Sequence, residues 1–446
     1  MSRSAPLALA LALSFAANAA PPKVVITSPD NGEVDVDPTV KEIRVEFDQP
    51  MDARGRSVVG GGENFPEIAG ELKWANPKTF VIPVRLKPDH QYHLHLNSDT
   101  FKGFASKQGE AAEWYPLSFR TRVAGAPPAE PDVTPEQNKE ALAALEKAIN
   151  DDYGYRDRKK IDWAKEIATR RSKIEKAKSA NEFARLTAHL LRAAEDAHVY
   201  VEAGDVTIGT RPNSAPPNFN FETLQKAVPG WTDHGGGVFS GQFDDGIGYV
   251  LFSQCAKEAA DAFDAALDGL KDTRGLVLDA RFNGGGDELA ARQVAGRFVK
   301  EAAVYSKNRI RDGGQWQGPF DRVIEPREDA ERYTKPVAVL VGPKIGSSAE
   351  SFVLMMKHGA KARLIGDVTK GSSGRPMPHQ LGNGVTVYLP SWEDQLPDGT
   401  VLEGRGVRPD TVVKTTLKGL EKSDPVLEAA RKYLSGGPGR GKSTAL

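Results

Sequence analysis

The second half of the chain alternates short apolar runs with helical patterns, and this alternation limits the fold more than any other feature of the sequence. Apolar runs at 248–252, 276–279 and 337–341 are each followed by a stretch with apolar residues at helical spacing. A strand, a helix and a second strand in this order form a right-handed crossover that places the two strands parallel. Residues 203–420 are therefore predicted to form an α/β core around an at least partly parallel sheet.

The N-terminal part of the chain follows a different pattern. Runs such as 43–47 and 92–96 alternate apolar and polar residues, and clusters of Pro, Asn and Gly separate them. Short strands over about 100 residues are typical of a β-sandwich, and their spacing over residues 22–123 resembles that of a bacterial Ig-like domain. His93 and His95 share one strand face, but the sequence offers no third metal ligand, so solvent-exposed histidines are favoured over a metal site.

A helical region lies between these two parts. A Pro-rich linker over 124–133 ends before Thr134, which starts a capping-box pattern with Gln137. The helical patterns that follow predict a small helical unit over 134–202. Residues 421–446 are predicted to form a C-terminal helix and a flexible tail, so the chain as a whole is expected to be multidomain.

The beginning of the chain has the pattern of a secretory signal peptide. Arg3 precedes a short apolar run at 7–17, and Ala17-Asn18-Ala19 provides small residues for cleavage after Ala19. No later run reaches the roughly 18 uninterrupted apolar residues that a membrane helix requires. We therefore predict that residues 1–19 are removed, and that the mature protein is exported, periplasmic or secreted, without a membrane span.

Charge and cysteine content exclude some classes of protein. The chain has 59 Lys and Arg against 60 Asp and Glu, a formal net charge of −1, so nothing indicates a nucleic-acid partner. Cys255 is the only cysteine, which excludes an intrachain disulfide, and burial as a small apolar residue is its favoured role. Residues 436–443 satisfy the Walker A formula, but only three residues follow them, so no phosphate-binding loop is predicted.

A serine-containing turn is the strongest candidate for chemistry. In residues 344–350 a predicted strand ends and a predicted helix begins, a geometry that exposes a serine oxygen beside unpaired amides. Ser347 and Glu350 also satisfy the capping-box formula, and on local sequence alone a helix cap is the favoured interpretation. Other segments of the chain favour a catalytic role for Ser347 instead.

Four segments, taken together, resemble the tail-specific, or C-terminal-processing, serine peptidase family. These segments are residues 278–286, 346–350, 364–371 and 397–410, and their order and spacing agree with the family. The resemblance covers roughly residues 136–415. It implies a crotonase-like α/β core, a polypeptide substrate, and no metal or organic cofactor.

The resemblance also assigns roles to single residues. The family's nucleophile is the serine three residues before the motif glutamate, which is Ser347 in this chain. The amide of the adjacent Ser348 is then placed to donate to the oxyanion, and the Gly-rich loop of the family supplies a second donor, Gly284 or Gly285. Glycine in this loop permits a close approach of the backbone to the scissile carbonyl.

The general base of the best-known branch of the family is missing. Those enzymes pair the serine with a lysine 25 residues later, and Ser372 occupies that position here. Lys370 is two residues away, but such a shift redirects the side chain of a residue in a loop or strand. Lys370 is therefore not the favoured substitute.

The tricorn-like branch uses a histidine instead. A histidine from the end of the preceding helical unit and a glutamate from the late motif correspond to His198 and Glu403, and a near-neutral pKa suits a base for a serine hydroxyl. In that branch a serine before the histidine links it to the glutamate, whereas this chain has Ala197. Glu403 is predicted to contact His198 directly, through water or not at all, and Asp196 is an alternative orienting carboxylate.

The chain lacks room for the PDZ module that many members of the family carry. Only about 45 residues, 201–246, separate the helical unit from the first core strand, so substrate selection depends on the core, on the Ig-like domain or on a partner. Contact with the cell envelope or with another protein is predicted for the Ig-like domain. Nothing in the sequence indicates the oligomeric state.

Two functions follow from these observations. The favoured one is an exported serine peptidase that hydrolyses peptide bonds with a site of Ser347, His198 and Glu403. The alternative is a catalytically inactive ligand- or peptide-binding protein on the same fold, similar to the interphotoreceptor-retinoid-binding members of the family.

Overall fold

The computed structural model describes residues 20–211, 216–328 and 331–436. The predicted signal peptide at 1–19 and the predicted flexible tail beyond residue 436 lie outside these ranges. The described chain divides into two compact units, of which one contains residues 20–30 and 36–124 and the other contains residues 31–35 and 125–436. None of the described helices is long and apolar enough to cross a membrane.

The N-terminal part is a two-sheet sandwich. Its strands are β1 Val24–Ser28, β2 Glu33–Val36, β3 Glu42–Phe47, β4 Val58–Val59, β5 Glu67–Ile68, β6 Lys73–Asn76, β7 Thr79–Arg85, β8 Gln91–Leu96 and β9 Tyr115–Thr121. One sheet has the order β1-β3-β7-β5, with β6 also paired to β7, and the other has the order β2-β9-β8-β4. Side chains from both sheets, including Phe80 and Leu117, form one hydrophobic core. The predicted all-β Ig-like sandwich is confirmed.

The two strand histidines of the sandwich contact each other. The Nε2 atoms of His93 and His95 are 3.1 Å apart, and the His95 ring also packs against Trp114, with ring centroids 5.1 Å apart. Throughout the described ranges, no group of three or more His, Cys, Asp or Glu side chains is placed to hold a metal ion. The pair thus lacks the third protein ligand that even an open zinc site needs.

The second unit starts with helices and continues into an α/β fold. Its first elements are α1 Pro135–Asp151, α2 Trp163–Glu175, α3 Ala180–Leu191, a 3-10 helix at Arg192–Ala194, β10 Tyr200–Ala203, β11 Val206–Gly209, α4 Phe221–Ala227, β12 Thr232–Asp233, β13 Val238–Gln242, β14 Ile247–Phe252, α5 Lys257–Gly269 and β15 Gly275–Asp279. The later elements are α6 Glu288–Gly296, β16 Ala303–Asp312, β17 Gln315–Ile324, β18 Val337–Val341, α7 Ser348–His358, β19 Arg363–Gly366, β20 Pro376–Gln380, β21 Val385–Pro390, β22 Trp392–Gln395, β23 Thr411–Val412, α8 Leu417–Leu420 and α9 Pro425–Leu434.

The central sheet is mostly parallel, as predicted. Its order is β12-β13-β14-β15-β18-β19-β23, and each neighbouring pair from β14 to β23 runs parallel. Every residue of β14, β15 and β18 is buried, which explains their continuous apolar sequences, because helices cover both faces of such a sheet. The α/β core is confirmed.

The helical region shares a core with strands that come much later in the chain. Leu142 of α1 and Phe183 of α3 belong to the same buried cluster as Val201 of β10 and Val387 of β21. Strand β10 pairs with β21 in a separate four-stranded sheet of order β11-β10-β21-β20. This packing fixes the segment that contains His198 against the α/β part.

The parallel strands deliver three loops to one edge of the sheet. The Gly-rich loop follows β15, the Ser347 turn follows β18, and the 367–373 loop follows β19. Since the carboxyl ends of parallel strands lie at the same edge, the three loops meet there, which is where open α/β sheets bind their ligands.

Candidate active site

The turn between β18 and α7 holds Ser347 in an unusual backbone conformation. Its φ is 55° and its ψ is −133°, a region that non-glycine residues occupy at an energetic cost and that often marks functional sites. Its amide donates to the carbonyl oxygen of Ser372 over 2.7 Å, while its side chain makes no capping hydrogen bond to α7. The helix-cap interpretation drawn from local sequence alone is therefore wrong.

Glu350 forms no capping box and instead binds the loop that follows β19. Its buried carboxylate accepts hydrogen bonds from the Thr369 hydroxyl, from the Gly371 amide at 2.8 Å and from the Ser372 amide at 2.9 Å. Burial raises the pKa of this carboxyl to about 7, although the hydrogen bonds act in the opposite direction. Glu350 thus ties the 369–372 loop to the helix that starts beside Ser347.

His198 lies beside this loop. Its Nδ1 is 3.1 Å from Ser372 Oγ and 4.0 Å from Asp196 Oδ1, and its backbone amide donates to the same Asp196 oxygen over 2.9 Å. Burial lowers the pKa of the imidazole, and the Lys370 charge adds to this, while the Asp196 charge opposes it. The imidazole is therefore mostly neutral at neutral pH, as a general base must be.

Ser372 connects the two predicted catalytic residues. Ser347 and His198 both lie in the described part of the chain, and no direct hydrogen bond joins Ser347 Oγ to the His198 imidazole. The connection runs through Ser372, whose carbonyl accepts from the Ser347 amide and whose hydroxyl contacts His198. The sequence marked this position as the one where a lysine is absent, but a role for the serine that replaces it was not predicted.

Glu403 lies near the site without a hydrogen bond to His198. Its Oε2 accepts from the Ser373 amide at 2.7 Å, and burial, followed by the charge of Asp196, raises the pKa of Glu403 to about 8. Asp196 accepts a hydrogen bond from the Tyr153 hydroxyl at 3.0 Å on its other oxygen. Of the two candidate orienting carboxylates, Asp196 is the one that contacts His198.

The raised pKa of Glu403 predicts how stability depends on pH. Because its pKa rises from 4.5 to about 8 on folding, the contribution of Glu403 to stability is complete below pH 4.5 and is lost as the pH rises through 8. Glu403→Gln keeps an acceptor for the Ser373 amide and cannot ionise. The melting temperature of this variant, measured from pH 6 to 9, should fall less steeply than that of the parent. Glu140→Gln, at an exposed position of α1, should leave the slope unchanged, and identical slopes for all three proteins would contradict the assignment.

The Gly-rich loop and α7 together present unpaired amides. Gly285 already donates its amide to Asn283 Oδ1 over 3.0 Å. Within the described part of the chain, the amides of Gly284 and of Ser348, the first residue of α7, have no hydrogen-bond partner. The Ser348 hydroxyl donates to the Gly286 carbonyl at 2.7 Å and holds the loop against the helix. Of the two glycines named from the sequence, Gly284 is thus the available donor.

Gly285 contributes space rather than an amide. A β-carbon at this position would lie 2.8 Å from Ser347 Cβ, and its φ of +114° is unfavourable for any other residue. We expect Gly285→Ala to displace the Ser347 turn and to lower kcat/KM at least about tenfold, since a shift of about 1 Å can cost a hundredfold. Gly382→Ala is the matched control, because Gly382 also has a positive φ, of +93°, but its β-carbon would meet nothing within 4 Å. Equal activities of the two variants would contradict a steric role for Gly285.

Lys370 passes beside the same turn. Its Cδ lies 3.3 Å from the place that a β-carbon on Gly346 would take, and its amide donates to the Ile345 carbonyl at 2.8 Å. Burial lowers the pKa of its ammonium group. Among the described residues, the Lys370 side chain forms no hydrogen bond with Ser347 or with His198. Because it lies beside the Ser347 turn, Lys370 is the alternative general base to His198.

Cys255 lies behind the Gly-rich loop. It is 2% exposed, and its sulfur is 3.5 Å from Asn283 Oδ1. Burial raises the pKa of the thiol to about 12, so little thiolate forms at neutral pH and the residue is unsuited to nucleophilic chemistry. The predicted burial is confirmed.

This α/β fold with its serine turn follows the Ig-like sandwich in the sequence, and both parts match known protein families. Residues 246–413 match the family model for peptidase family S41, and residues 18–121 match that for a bacterial Ig-like domain. The chain therefore carries a peptidase family S41 domain preceded by a bacterial Ig-like domain.

Individual relatives agree with this assignment. The chain is 24% identical over 170 residues to the carboxy-terminal processing protease CtpB of Bacillus subtilis, covering 38% of this chain and 34% of that protein. It is 26% identical over 198 residues to the carboxyl-terminal-processing protease of Synechocystis, covering 43% and 44%. The chain thus spans less than half the length of these curated relatives. Among solved structures, one called a "putative peptidase" from Parabacteroides merdae has a TM-score of 0.58 and 25% identity, and covers 68% of this chain and 97% of that one.

Proposed function

We propose that the protein is an exported serine peptidase that hydrolyses peptide bonds of polypeptides, with Ser347 as nucleophile and His198 as general base. The observation that carries the proposal is the strained Ser347 turn, which Ser372 connects to His198 and which lies beside two amides without partners. Such an arrangement combines a nucleophile, a neutral base and oxyanion donors in one place.

The reaction follows from these positions. Ser347 Oγ attacks the carbonyl carbon of the peptide bond while His198 takes the hydroxyl proton, and the negative charge that forms on the carbonyl oxygen is stabilised by the amides of Ser348 and Gly284. His198 then gives the proton to the leaving nitrogen as the C–N bond breaks. Water, deprotonated by His198, hydrolyses the acyl-enzyme and restores Ser347.

The remaining residues position the base. Ser372 holds Nδ1 of His198 through its hydroxyl, and Asp196 lies on the same side of the ring, so Nε2 is the nitrogen left to receive the proton of Ser347. Glu350 and Glu403 hold the amides of the 371–373 segment that contains Ser372. Hydrogen bonds between a nucleophile and its base are often long in the free enzyme and shorten only when substrate binds. We therefore expect Ser347 Oγ and His198 Nε2 to come within hydrogen-bond distance on substrate binding.

Export and the role of the sandwich complete the proposal. The charged start, apolar run and small-residue site over residues 1–19 support removal of this segment and a periplasmic or secreted location. The boundaries proposed for the mature chain are a sandwich at 22–123, a linker at 124–133, a helical unit at 134–202 and a core at 203–420. The sandwich is proposed to contact the envelope or another protein.

One observation favours the alternative of a catalytically inactive binding protein. Ser347 and His198 are not hydrogen-bonded to each other. If they also form no hydrogen bond when substrate binds, the site would bind polypeptide without cleaving it. A fluorophosphonate probe separates the two functions, because it reacts covalently only with an activated serine.

The probe experiment needs no substitution. The purified protein is treated with the probe, digested, and the adduct located by mass spectrometry, with heat-denatured protein as the control. We expect one adduct, on Ser347, in the native sample alone. An adduct on Ser348, or no adduct together with no hydrolysis of an unfolded protein substrate, would overturn the proposed function.

A further inference from the structure

A loop rich in positive residues lies against the candidate catalytic centre. The loop follows Tyr155, whose hydroxyl is 2.9 Å from Ser373 Oγ. Tyr153, two residues earlier, donates its hydroxyl hydrogen to Asp196 at 3.0 Å. Both tyrosines are buried, whereas most residues of the segment 156–160 are exposed. The segment therefore reaches the surface directly beside the catalytic centre.

Arg158 connects this segment to the centre. Its guanidinium carbon is 5.8 Å from the centroid of the Tyr155 ring, and its Nη2 lies 2.6 Å from the place that a β-carbon on Gly404 would take. Gly404 follows Glu403 in the chain, and although burial raises the pKa of Glu403, the Arg158 charge acts in the opposite direction. Arg158 is also exposed, so a ligand that approaches the centre can contact it.

Arg211 provides a second exposed charge from another part of the chain. Its Nη1 donates to the Glu195 carbonyl oxygen over 2.7 Å, and Glu195 directly precedes Asp196. Burial lowers the pKa of Lys370, and the Arg211 charge adds to this effect. Arg158 and Arg211 therefore act electrostatically on two different residues of the same centre.

The acids Asp157 and Glu195 border this region, and both are already paired. Asp157 is bound by Arg156 and, at 3.3 Å, by Arg311. Glu195 pairs with Lys159 at 2.9 Å. Since each acid has a cation of its own, neither neutralises the other positive residues beside the centre.

Three further cations, Arg158, Lys160 and Arg211, are here called the basic rim. All three are exposed, and none of them forms an ion pair within the part of the chain that the structure describes. Burial raises the pKa of Glu350 to about 7 and that of Glu403 to about 8, so these carboxyls are partly protonated at neutral pH and offset the rim only in part. Because the whole chain has a formal net charge of −1, the positive excess is a local property of this side of the centre.

We propose that the basic rim binds acidic side chains of a polypeptide, so that the peptidase preferentially cleaves segments rich in Asp and Glu. Exposed charges of one sign beside a catalytic centre attract ligands of the opposite sign and raise the rate of encounter. The position of the rim beside the candidate nucleophile favours a polypeptide over an anionic lipid surface. Cleavage of the bound segment rests on the proposed function, whereas the charge argument does not.

The first test compares substrates that differ only in side-chain charge. A peptide that the enzyme cleaves, identified by mass spectrometry of a digested unfolded protein, is resynthesised with acetylated and amidated ends and with Glu, Gln or Lys on both sides of the cleaved bond. Neither end of these peptides is charged. We expect kcat/KM at low salt to be at least about fivefold higher for the Glu peptide than for the Gln peptide, and lowest for the Lys peptide. Equal values for the three peptides would overturn the proposal.

The preference should also depend on salt. At an ionic strength of about 1 M the screening length falls to about 3 Å, so the ratio of kcat/KM between the Glu and Gln peptides should fall below about two. A ratio that is the same at low and high salt would contradict attraction by exposed charges and overturn the rim as its source.

Substitutions locate the preference. Arg158→Gln, Lys160→Gln and Arg211→Gln, combined in the full chain, should lower the Glu-to-Gln ratio of kcat/KM at least about threefold, and each single substitution should give part of that decrease. The ratio is the readout because a general loss of activity affects both peptides equally. Melting temperatures equal to that of the parent establish that the variants are folded. An unchanged ratio in the folded variants would place the selection elsewhere and overturn the proposal.

A second triple variant controls for the change in net charge. Lys139 lies near the start of α1, Arg274 directly precedes β15, and Lys432 belongs to the last turn of α9, which packs against the start of β15. All three are exposed and form no ion pair in the described ranges. Replacing them with Gln removes the same number of positive charges, so the Glu-to-Gln ratio should stay at the parent value. A decrease equal to that of the basic-rim variant would show that total charge causes the preference and would overturn the local assignment.

Binding separates this proposal from the proposed function. In full-length protein with Ser347→Ala, fluorescence anisotropy should show at least about fivefold tighter binding of the Glu peptide than of the Gln peptide. If this discrimination is found while the parent neither reacts with a fluorophosphonate nor cleaves any peptide, the proposed function fails and the basic rim is supported. If the parent reacts with the probe but neither protein discriminates, the basic rim alone is overturned.

Vesicles test the other anionic partner. Parent and triple basic-rim variant are sedimented with vesicles of phosphatidylcholine and phosphatidylglycerol in equal parts. Vesicle binding that the variant loses, together with equal affinities for the Glu and Gln peptides, would assign the basic rim to a lipid surface and overturn the proposal.

Discussion

Ser347→Ala and His198→Ala should each lower kcat/KM for a peptide substrate by about a thousandfold or more. The members of a nucleophile and base pair act as one unit, so removal of either eliminates most of the acceleration that the pair provides. What remains comes from the oxyanion donors and from substrate binding. Initial rates on an unfolded protein substrate, with labelling by a fluorophosphonate as a second readout, measure both effects.

Lys370→Met is the informative comparison. Lys370 lies beside the Ser347 turn and is partly buried, so it is the other side chain able to act as a base. If His198 is the base, Lys370→Met should keep kcat/KM within about tenfold of the parent, because methionine retains the packing of the chain over Gly346. Loss of activity in Lys370→Met with activity retained in His198→Ala would assign the base to the lysine.

The pH dependence gives an independent check on the same assignment. The base must be neutral to accept a proton, and burial lowers the pKa of His198 below its ordinary 6.5. The acidic limb of the kcat/KM profile should therefore have its midpoint below pH 6.5, with activity maintained toward neutral pH. A midpoint well above 6.5 would instead report a lysine base with a lowered pKa.

Strand and helix patterns predicted most of the fold because apolar residues fix which faces are buried. The continuous runs of β14, β15 and β18 and the alternation in the sandwich strands both follow from burial. The hairpin of β16 and β17 was not predicted. Most residues of β17 are exposed, so its sequence has no apolar period, and its strand form depends on pairing with β16.

The arrangement of the candidate site could be predicted only in part, for a related reason. Ser347, Glu350 and the Gly-rich loop are recognisable because each requires particular residues at fixed local spacing. The contact between Ser372 and His198 joins residues 174 positions apart, and no local pattern encodes it. The choice between Asp196 and Glu403 likewise depends on where loops meet, which the sequence left open.

Arg281→Met should lower the free energy of unfolding by about 3–5 kcal/mol, because removing one partner leaves buried charges without compensation. Arg281 is fully buried just before the Gly-rich loop. Its guanidinium bonds Asp279 at 3.0 and 2.7 Å, Asp424 at 3.0 and 2.7 Å, and the Asn218 carbonyl at 2.9 Å. Urea unfolding measures the loss, and Lys257→Met, which removes an exposed ion pair on α5, should cost less than about 1 kcal/mol.

A triple variant separates the charge from the packing in this network. Adding Asp279→Asn and Asp424→Asn to Arg281→Met removes the two carboxylates that the single substitution leaves unpaired, while the amides keep acceptors for Tyr249 and for the start of α9. If uncompensated charge causes the loss, the triple variant should be more stable than the single one by at least about 1 kcal/mol. A triple variant no more stable than Arg281→Met would show that the guanidinium acts by filling space and donating hydrogen bonds. In that case the stability that this buried network provides, directly before the Gly-rich loop, depends on the shape and hydrogen bonds of Arg281 rather than on its charge.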